Sequence, residues 1–291
     1  MLRNLFSLFA TGLLCAGGLQ LSAQQNNDPP KVLRIFREDI KEGKTAGHEK
    51  SESAFMEAFA KANYPANILG MTTLTGTSQA WFLESHDSFD SIAKAEATLD
   101  TAEFQTLDSL DAEFRSNSTS WIAVYRPDIS FHGQELVQSL PKARYFNVIM
   151  LRVQNGHDDD FTELGKMAVS AAQKAIYDQP VAVYQVVSGI PNGTYLFFEP
   201  AASLKAMDGA AERSQALLQA MGDSGAKRFT KLEGDTIANS QSLLFVLNPK
   251  LSYVSKDFAA ADPDFWNPKP LENERPARKA ATKAKPKTAA K

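Results

Sequence analysis

Two periods of apolar spacing alternate along residues 31–253, and the alternation runs through twice. A short apolar run, Val32–Glu38, bounded by charged residues, predicts a strand. Thr45–Asn63 then reads as an amphipathic helix, with Phe55, Phe59 and Ala62 at helical spacing, and Pro65 stops it because proline cannot continue the hydrogen-bond ladder. Two strands follow, Ile68–Thr75 and Gln79–Glu84, joined by Gly76-Thr77-Ser78. A second helical stretch, Ser88–Phe114, and a last strand, Ser120–Tyr125, close the unit. The second run has the same order: strand Tyr145–Val153, helix Asp158–Tyr177, strands Val181–Ser188 and Thr194–Glu199, helix Ala201–Met221 and strand Ser242–Leu247. Its helix opens on Asp158-Asp159-Asp160, where the positive end of the helix dipole favours acids, and Pro180 follows it. Pro191-Asn192-Gly193 is its hairpin signal.

Self-similarity makes this a duplication. A shift of 115 places Leu33–Arg37 on Val148–Arg152, Pro65 on Pro180, Ile68–Met71 on Val183–Val186 and Trp81–Glu84 on Leu196–Glu199. Near the end the shift becomes 122, so that Ile122–Pro127 meets Leu244–Pro249, with seven extra residues around Gly222 to Gly234. Each copy therefore has the order βαββαβ, the ferredoxin-like split unit. The third strands are apolar on both faces: Ala80 and Phe82 alternate with Trp81 and Leu83, and Tyr195 and Phe197 with Leu196 and Phe198. A sheet with helices on one face and water on the other carries polar residues at alternate positions, so here the second face must also be covered. The sheet of the other copy is the simplest cover.

Tandem βαββαβ copies with doubly apolar sheets resemble the dimeric α+β barrel superfamily, which includes antibiotic-biosynthesis-monooxygenase-like and NIPSNAP-like domains. Arg34–Lys44, followed by His48-Glu49, is similar to the start of NIPSNAP-like domains, in which a strand, a K-x-G turn and an acidic helix follow one another. The resemblance covers about residues 31–253 and is most evident to exported bacterial proteins of this type. It implies an α+β fold of two repeats closing an intramolecular pseudo-dimeric barrel, with a pocket between sheet and helices. It implies no particular reaction.

The flanks change the picture more than the overall composition does. Arg3 and the amino terminus precede an apolar run, Leu5–Leu14, and Leu21-Ser22-Ala23 reads as a small-residue cleavage pattern. This run is too short to span a bilayer core, which takes about 20 residues as a helix. The expectation is a signal peptide over residues 1–23, export to the periplasm or beyond, and a mature chain with no transmembrane segment. The sole cysteine, Cys15, lies inside that signal; it also offers a lipoprotein alternative, although Gly12-Leu13-Leu14 puts no small residue next to it. At the other end, residues 275–291 hold seven basic residues and no acid. With a net charge of −3 for all 291 residues, residues 1–274 carry −10. Such a tail cannot bury a core and suits an anionic surface or polymer. A solubilising tail without a partner is the plainer alternative. The division expected is thus linker 24–30, repeats 31–131 and 143–253, connector 132–142, a Pro/Asp-rich strap 254–274 and the basic tail. In the strap, Phe258 to Trp266 could fold back onto the body.

Candidate chemistry is sparse. No HExxH, GxSxG, GxGxxG or phosphate-loop pattern occurs, and four histidines are spread along the chain. His48 and Glu52, four apart on the first helix, share a face and could hold a metal ion, but with Glu163 and Met167 as their apparent second-copy equivalents and no third ligand nearby, a solvated helix face is expected and no metal site. Arg37 with Arg152, and Glu84 with Glu199, recur at matching strand positions, either as polar anchors at a pocket mouth or as structural ion pairs or solvated strand ends. Trp81, Trp121 and Tyr184 could line a ligand cavity or simply fill a core. The ligand-pocket expectation is Arg37, His48, Trp81, Glu84, Arg152, Tyr184 and Glu199, with no catalytic residue assigned. No cofactor and no specific nucleic-acid binding are expected. The reading is an exported, non-enzymatic small-molecule-binding or structural module. The resemblance supplies the alternative, a cofactor-free monooxygenase-like or haem-binding enzyme.

Overall fold

Eight strands close on themselves in the order β1-β3-β2-β8-β5-β7-β6-β4. A computed structural model of the chain describes residues 27–267, so the expected signal (1–23) and basic tail (275–291) lie outside the described residues. The first copy comprises β1 (Val32–Ile40), α1 (Thr45–Ala62), β2 (Ile68–Thr73), β3 (Gln79–His86), α2 (Phe89–Glu96), α3 (Ala102–Asp111) and β4 (Arg115–Tyr125). After α4 (Gly133–Ser139), the second comprises β5 (Tyr145–Val153), α5 (Asp158–Lys174), β6 (Ala182–Ser188), β7 (Thr194–Ala201), α6 (Ala210–Thr236) and β8 (Ile237–Leu247). Two short helices, α7 (Lys256–Ala260) and α8 (Pro263–Trp266), end the described chain.

Local chemistry sets the element ends. Asn63 takes the left-handed conformation (φ 49°), so the Tyr64 N–H turns back to the Phe59 carbonyl at 2.9 Å and α1 stops before Pro65. Ser88 and Ser91 form a reciprocal cap that starts α2, and the Thr101 hydroxyl caps α3. These two starts split the single helical stretch expected over Ser88–Phe114. In the second copy the extra residues instead lengthen one helix, α6, across a non-helical Gly222 (φ 69°).

Each copy pairs its strands in ferredoxin-like order, and β2·β8 and β4·β6 join the two sheets into a dimeric α+β barrel. Leu33, Ile35, Trp81, Leu83 and Trp121 of the first copy meet Phe146, Val148, Leu196, Phe198 and Phe245 of the second inside the barrel. Trp81 lies 5.1 Å from the Trp121 ring and 5.0 Å from the Phe245 ring. The other faces, with Ala80 and Phe82 in one copy and Val183 and Tyr195 in the other, pack under helices. The two-faced apolar strands are explained: one face lines the barrel, the other the helix layer. At the carboxyl end, Trp266 is buried against Phe258 and Phe265, and its indole N–H donates to the Pro141 carbonyl at 2.8 Å.

Register corrects the alignment of the copies. Arg34 faces Glu84 as Asn147 faces Glu199, and the bulged pairs Ile40–Arg115 and Val153–Ile237 match. With the β2·β8 and β4·β6 registers added, one solution remains: β1, α1 and β2 match β5, α5 and β6 at a shift of 113, β3 matches β7 at 115, and β4 matches β8 at 122. The hairpin after β6 holds the two extra residues. The matched position of Arg37 is therefore Met150, and that of Arg152 is Asp39, so Arg37 and Arg152 are not counterparts. Glu84 and Glu199 are.

Candidate functional site

Between the outer face of the first copy's sheet and helices α1, α2 and α3 lies a cavity of about 420 Å³, within the range of small-molecule sites. Its wall is mostly aromatic and aliphatic: Phe36 and Phe82 from the sheet, Phe55, Met56 and Phe59 from α1, Phe104 from α3. Residues 34, 36 and 38 reach it because alternate strand positions share a face. Two polar knots flank this apolar body.

The first knot centres on Glu84, only 1% exposed. Arg34 Nε donates to its Oε2 at 2.8 Å, the Tyr64 hydroxyl donates to Oε1 at 2.6 Å, and His86 Nε2 lies 2.7 Å from Oε1. Arg34 also pairs with Glu96 and lies 4.8 Å over the Phe36 ring. Burial pushes the Glu84 carboxyl up, but the His86, Arg34 and Tyr64 contacts outweigh it and hold it below the usual range. Burial and the adjacent Glu84 carboxylate raise the Tyr64 phenol well above its ordinary value.

The second knot joins Glu38 (β1), His48 and Glu52 (α1), Asp111 (end of α3) and Arg115 (start of β4). Glu38 shares its oxygens between His48 Nε2, at 2.7 Å from Oε2, and Arg115, at 2.5 Å from Oε1. Arg115 also pairs with Asp108. Asp111 is fully buried, yet neither carboxyl oxygen takes a hydrogen bond of normal geometry; the Arg115 guanidinium stands 3.6 Å from Oδ2. Burial, reinforced by the Glu38 and Asp111 charges, pushes Glu52 well above the carboxylate range, and burial and Glu38 raise Asp111. A buried acceptor left unpaired costs about 1–3 kcal/mol, so native structures keep few of them. Asp111 is in that position.

The second copy shows what the fold itself requires there. At the matched positions Glu38 becomes Leu151, His48 becomes Phe161, Glu52 becomes Gly165 and Arg115 becomes Ile237. Leu151, Phe161 and Ile237 belong to one apolar cluster, and Ile129 sits so close to Gly165 that a Cβ there would lie 2.5 Å from it. In the other knot, Arg34 becomes Asn147 and His86 becomes Ala201, while Glu199 keeps one hydrogen bond, from Asn147 at 2.8 Å. Burial accordingly raises the Glu199 carboxyl, against the pull of Asn147 and Arg213.

Of the seven pocket residues expected from sequence, Glu84 lines the cavity. His48 stands behind its wall, 1% exposed, so the solvated helix face expected for His48 and Glu52 is incorrect: α1 turns that face onto the sheet, where Glu38 and Asp111 join it. Trp81 and Tyr184 point into the barrel interior, the Tyr184 hydroxyl donating to the Pro30 carbonyl. Arg37 is half-buried and pairs with Asp39, two residues along its own strand. Arg152 and Glu199 lie in the second copy, away from the cavity. Arg34, Tyr64, Glu38, Asp111 and Arg115 were not picked out from sequence. The one available signal was the strand alternation Arg34-Phe36-Glu38, which puts two charges on an otherwise apolar face.

A haem does not fit this cavity. Its lining contains no histidine, and the Tyr64 hydroxyl, a possible axial ligand, is committed to Glu84. No family model matches the chain, and no curated protein matches it in sequence. Solved structures with a similar trace include a candidate monooxygenase from Fusobacterium nucleatum (10% identity, TM-score 0.48, covering 75% of this chain and 93% of that one). An anthrone oxidase-like protein matches at 12% identity and TM-score 0.47, over 76% and 92% of the two chains. A variant of the chlorite dismutase of Candidatus Nitrospira defluvii matches at 11% identity and TM-score 0.45, over 76% and 92%. Likeness at this level carries no activity across; the barrel itself rests on the strand order above. Among the described residues no helix is long and apolar enough to cross a membrane.

Proposed function

We propose that the chain is an exported binding protein for one small amphipathic molecule, held in the cavity of the first copy. The NIPSNAP-like opening at Arg34–Lys44 supports placing it in that branch of the barrel proteins. The observation that carries the binding reading is the asymmetry of the copies: the first keeps an aromatic cavity between two charged knots, whereas the second packs Ile129, Phe161 and Gly165 into the matching layer. Phe36, Phe55, Phe59, Phe82 and Phe104 would hold an apolar body, and the Glu52 carboxyl at the cavity wall would hydrogen-bond its polar end. Arg34 and Arg115 are already paired with carboxylates, which disfavours an anionic ligand.

The test uses the full chain and the neutral fluorescent probe N-phenyl-1-naphthylamine. Saturable binding of one probe per chain is expected. Met56→Trp, which fills the cavity, should weaken it at least about tenfold while leaving the melting temperature close to that of the parent, an overpacked site being free to expand into empty space. Absence of saturable binding, or binding that Met56→Trp leaves intact, overturns the reading.

A further inference from the structure

We infer that Glu38, His48, Glu52 and Asp111 form a site for one divalent transition-metal cation at the inner end of the cavity. One ligand atom from each lies within 4.8 Å of all the others, and all four side chains are buried.

Three independent observations separate this knot from an ordinary patch of acids. Asp111 is fully buried and neither of its oxygens takes a hydrogen bond of normal geometry, the Ser51 hydroxyl being its nearby polar neighbour. Asp111 is enclosed in the knot with Glu38, His48 and Glu52 rather than turned to solvent. Second, three of its carboxylates face a single guanidinium, Arg115, which already serves Glu38 and Asp108. A further positive charge is what the donor set lacks. Third, the second copy builds the same strands and helices with Leu151, Phe161, Gly165 and Ile237 at the matched positions, so the fold does not need these polar groups.

The donors also indicate the kind of cation. One imidazole with three carboxylates suits zinc, manganese or iron(II); magnesium and calcium prefer all-oxygen shells with retained water. A tetrahedral site with bonds of about 2.0–2.2 Å places its ligand atoms about 3.3–3.6 Å apart, so ligand atoms that now lie within 4.8 Å of one another would close in by up to about 1.5 Å. Glu38 Oε2 and His48 Nε2 lie 2.7 Å apart, and the cation would take the place of the contact between them. Arg115, on Glu38 Oε1, would remain as the outer support that orients that ligand. Because Glu38 and Glu52 also line the cavity, a bound cation would face its interior and could take a donor atom from an enclosed molecule. That last extension rests on the small-molecule reading; cation binding itself does not.

The experiment strips the full chain with a chelator and titrates it by calorimetry with Zn²⁺ and Mn²⁺, each alone. One saturable site and a rise in melting temperature are expected. Glu52→Gln and Asp111→Asn keep the shape of neutral carboxyls, so the metal-free variants should fold with unchanged circular dichroism. Each should weaken binding at least about tenfold. His132→Ala and His157→Ala, at the surface pairs His132–Glu135 and His157–Asp160, should leave it unchanged. Absence of saturable binding, or binding that survives both Glu52→Gln and Asp111→Asn, overturns the inference. A chain that binds the naphthylamine but no cation overturns this inference alone; one that binds the cation but no naphthylamine overturns only the small-molecule reading.

Discussion

His48 and Phe161 occupy the same place in two copies of one fold, each in the first turn of the helix after the opening strand, with a backbone N–H bonded 2.9 Å to the residue four before it. The ring of Phe161 packs 4.3 Å from Tyr195 in an apolar layer. The ring of His48 bonds Glu38 instead. One position thus solves the same packing problem by dispersion in one copy and, in the other, by a hydrogen bond into a network that includes the Glu38–Arg115 ion pair. Charge is the more expensive solution, since taking it out of water costs several kcal/mol per ion before any pairing is recovered. Its presence in only one copy argues for a use other than stability.

That contrast makes a non-additive prediction. Glu38→Leu alone leaves His48 and Arg115 without their central partner and should cost about 3–5 kcal/mol. Installing the second copy's set together, Glu38→Leu with His48→Phe and Arg115→Ile, should cost less than the single change. Denaturant melts of the two variants and the parent check this. A triple variant less stable than Glu38→Leu would mean that the knot holds the fold together after all.

The two matched carboxyls predict opposite pH trends. Glu84, held low by His86, Arg34 and Tyr64, binds fewer protons in the folded than in the unfolded chain. Its stabilising contribution is present above the ordinary carboxyl range and is lost as pH falls through its folded value. Glu199, held high by burial, does the reverse: stability falls as pH rises through its folded value. Glu84→Gln should therefore destabilise at neutral pH by a margin that shrinks on acidification. Glu199→Gln should compare more favourably with the parent as pH rises. Stability curves for both variants across the acidic and neutral range test the signs, and differences that do not change with pH would refute them.

Sequence carried the architecture because hydrophobic period is a property of each strand and helix taken singly. It carried the doubly apolar strands for the same reason: Trp81 and Phe82 must face opposite ways whatever they touch. The site was harder. A slip of one residue exchanges the faces of a strand, but a slip of two restores them. The shift of 115 that matched Leu33–Arg37 to Val148–Arg152 was thus as good in pattern as the true shift of 113, and it placed Arg37 opposite Arg152. Only the cross-strand registers distinguish the two. The second knot was further out of reach. His48 and Glu52 are visible as a helical pair, but Glu38 and Asp111 come from a strand and from the end of a helix some 60 residues later, and no local spacing relates them.

The proposed export has a direct test outside the described residues. Intact mass of the secreted chain should begin at Gln24, with or without cyclisation, after loss of residues 1–23. A mass carrying lipid on Cys15 would replace the cleaved signal with a membrane anchor.

The barrel predicts that neither copy stands alone. Trp81 and Phe245 touch across the two sheets, as do strands β2·β8 and β4·β6, and the interior cluster draws on both copies. Residues 31–131 expressed by themselves would expose Ile35, Trp81, Leu83 and Trp121, all buried in the full chain. Each such side chain is worth about 1.5–3 kcal/mol on burial, and four together rival the whole net stability of a small domain, about 5–15 kcal/mol. The edges of β2 and β4 would also lose their partners and offer open backbone for pairing. The fragment should therefore aggregate, or form a homodimer in which a second copy supplies the missing sheet. Light scattering and thermal melts of the fragment distinguish these outcomes from a stable monomer. A soluble monomer melting at the temperature of the full chain would mean that the interior contributes little to cohesion, which the packing of Trp81 against Phe245 and Trp121 contradicts.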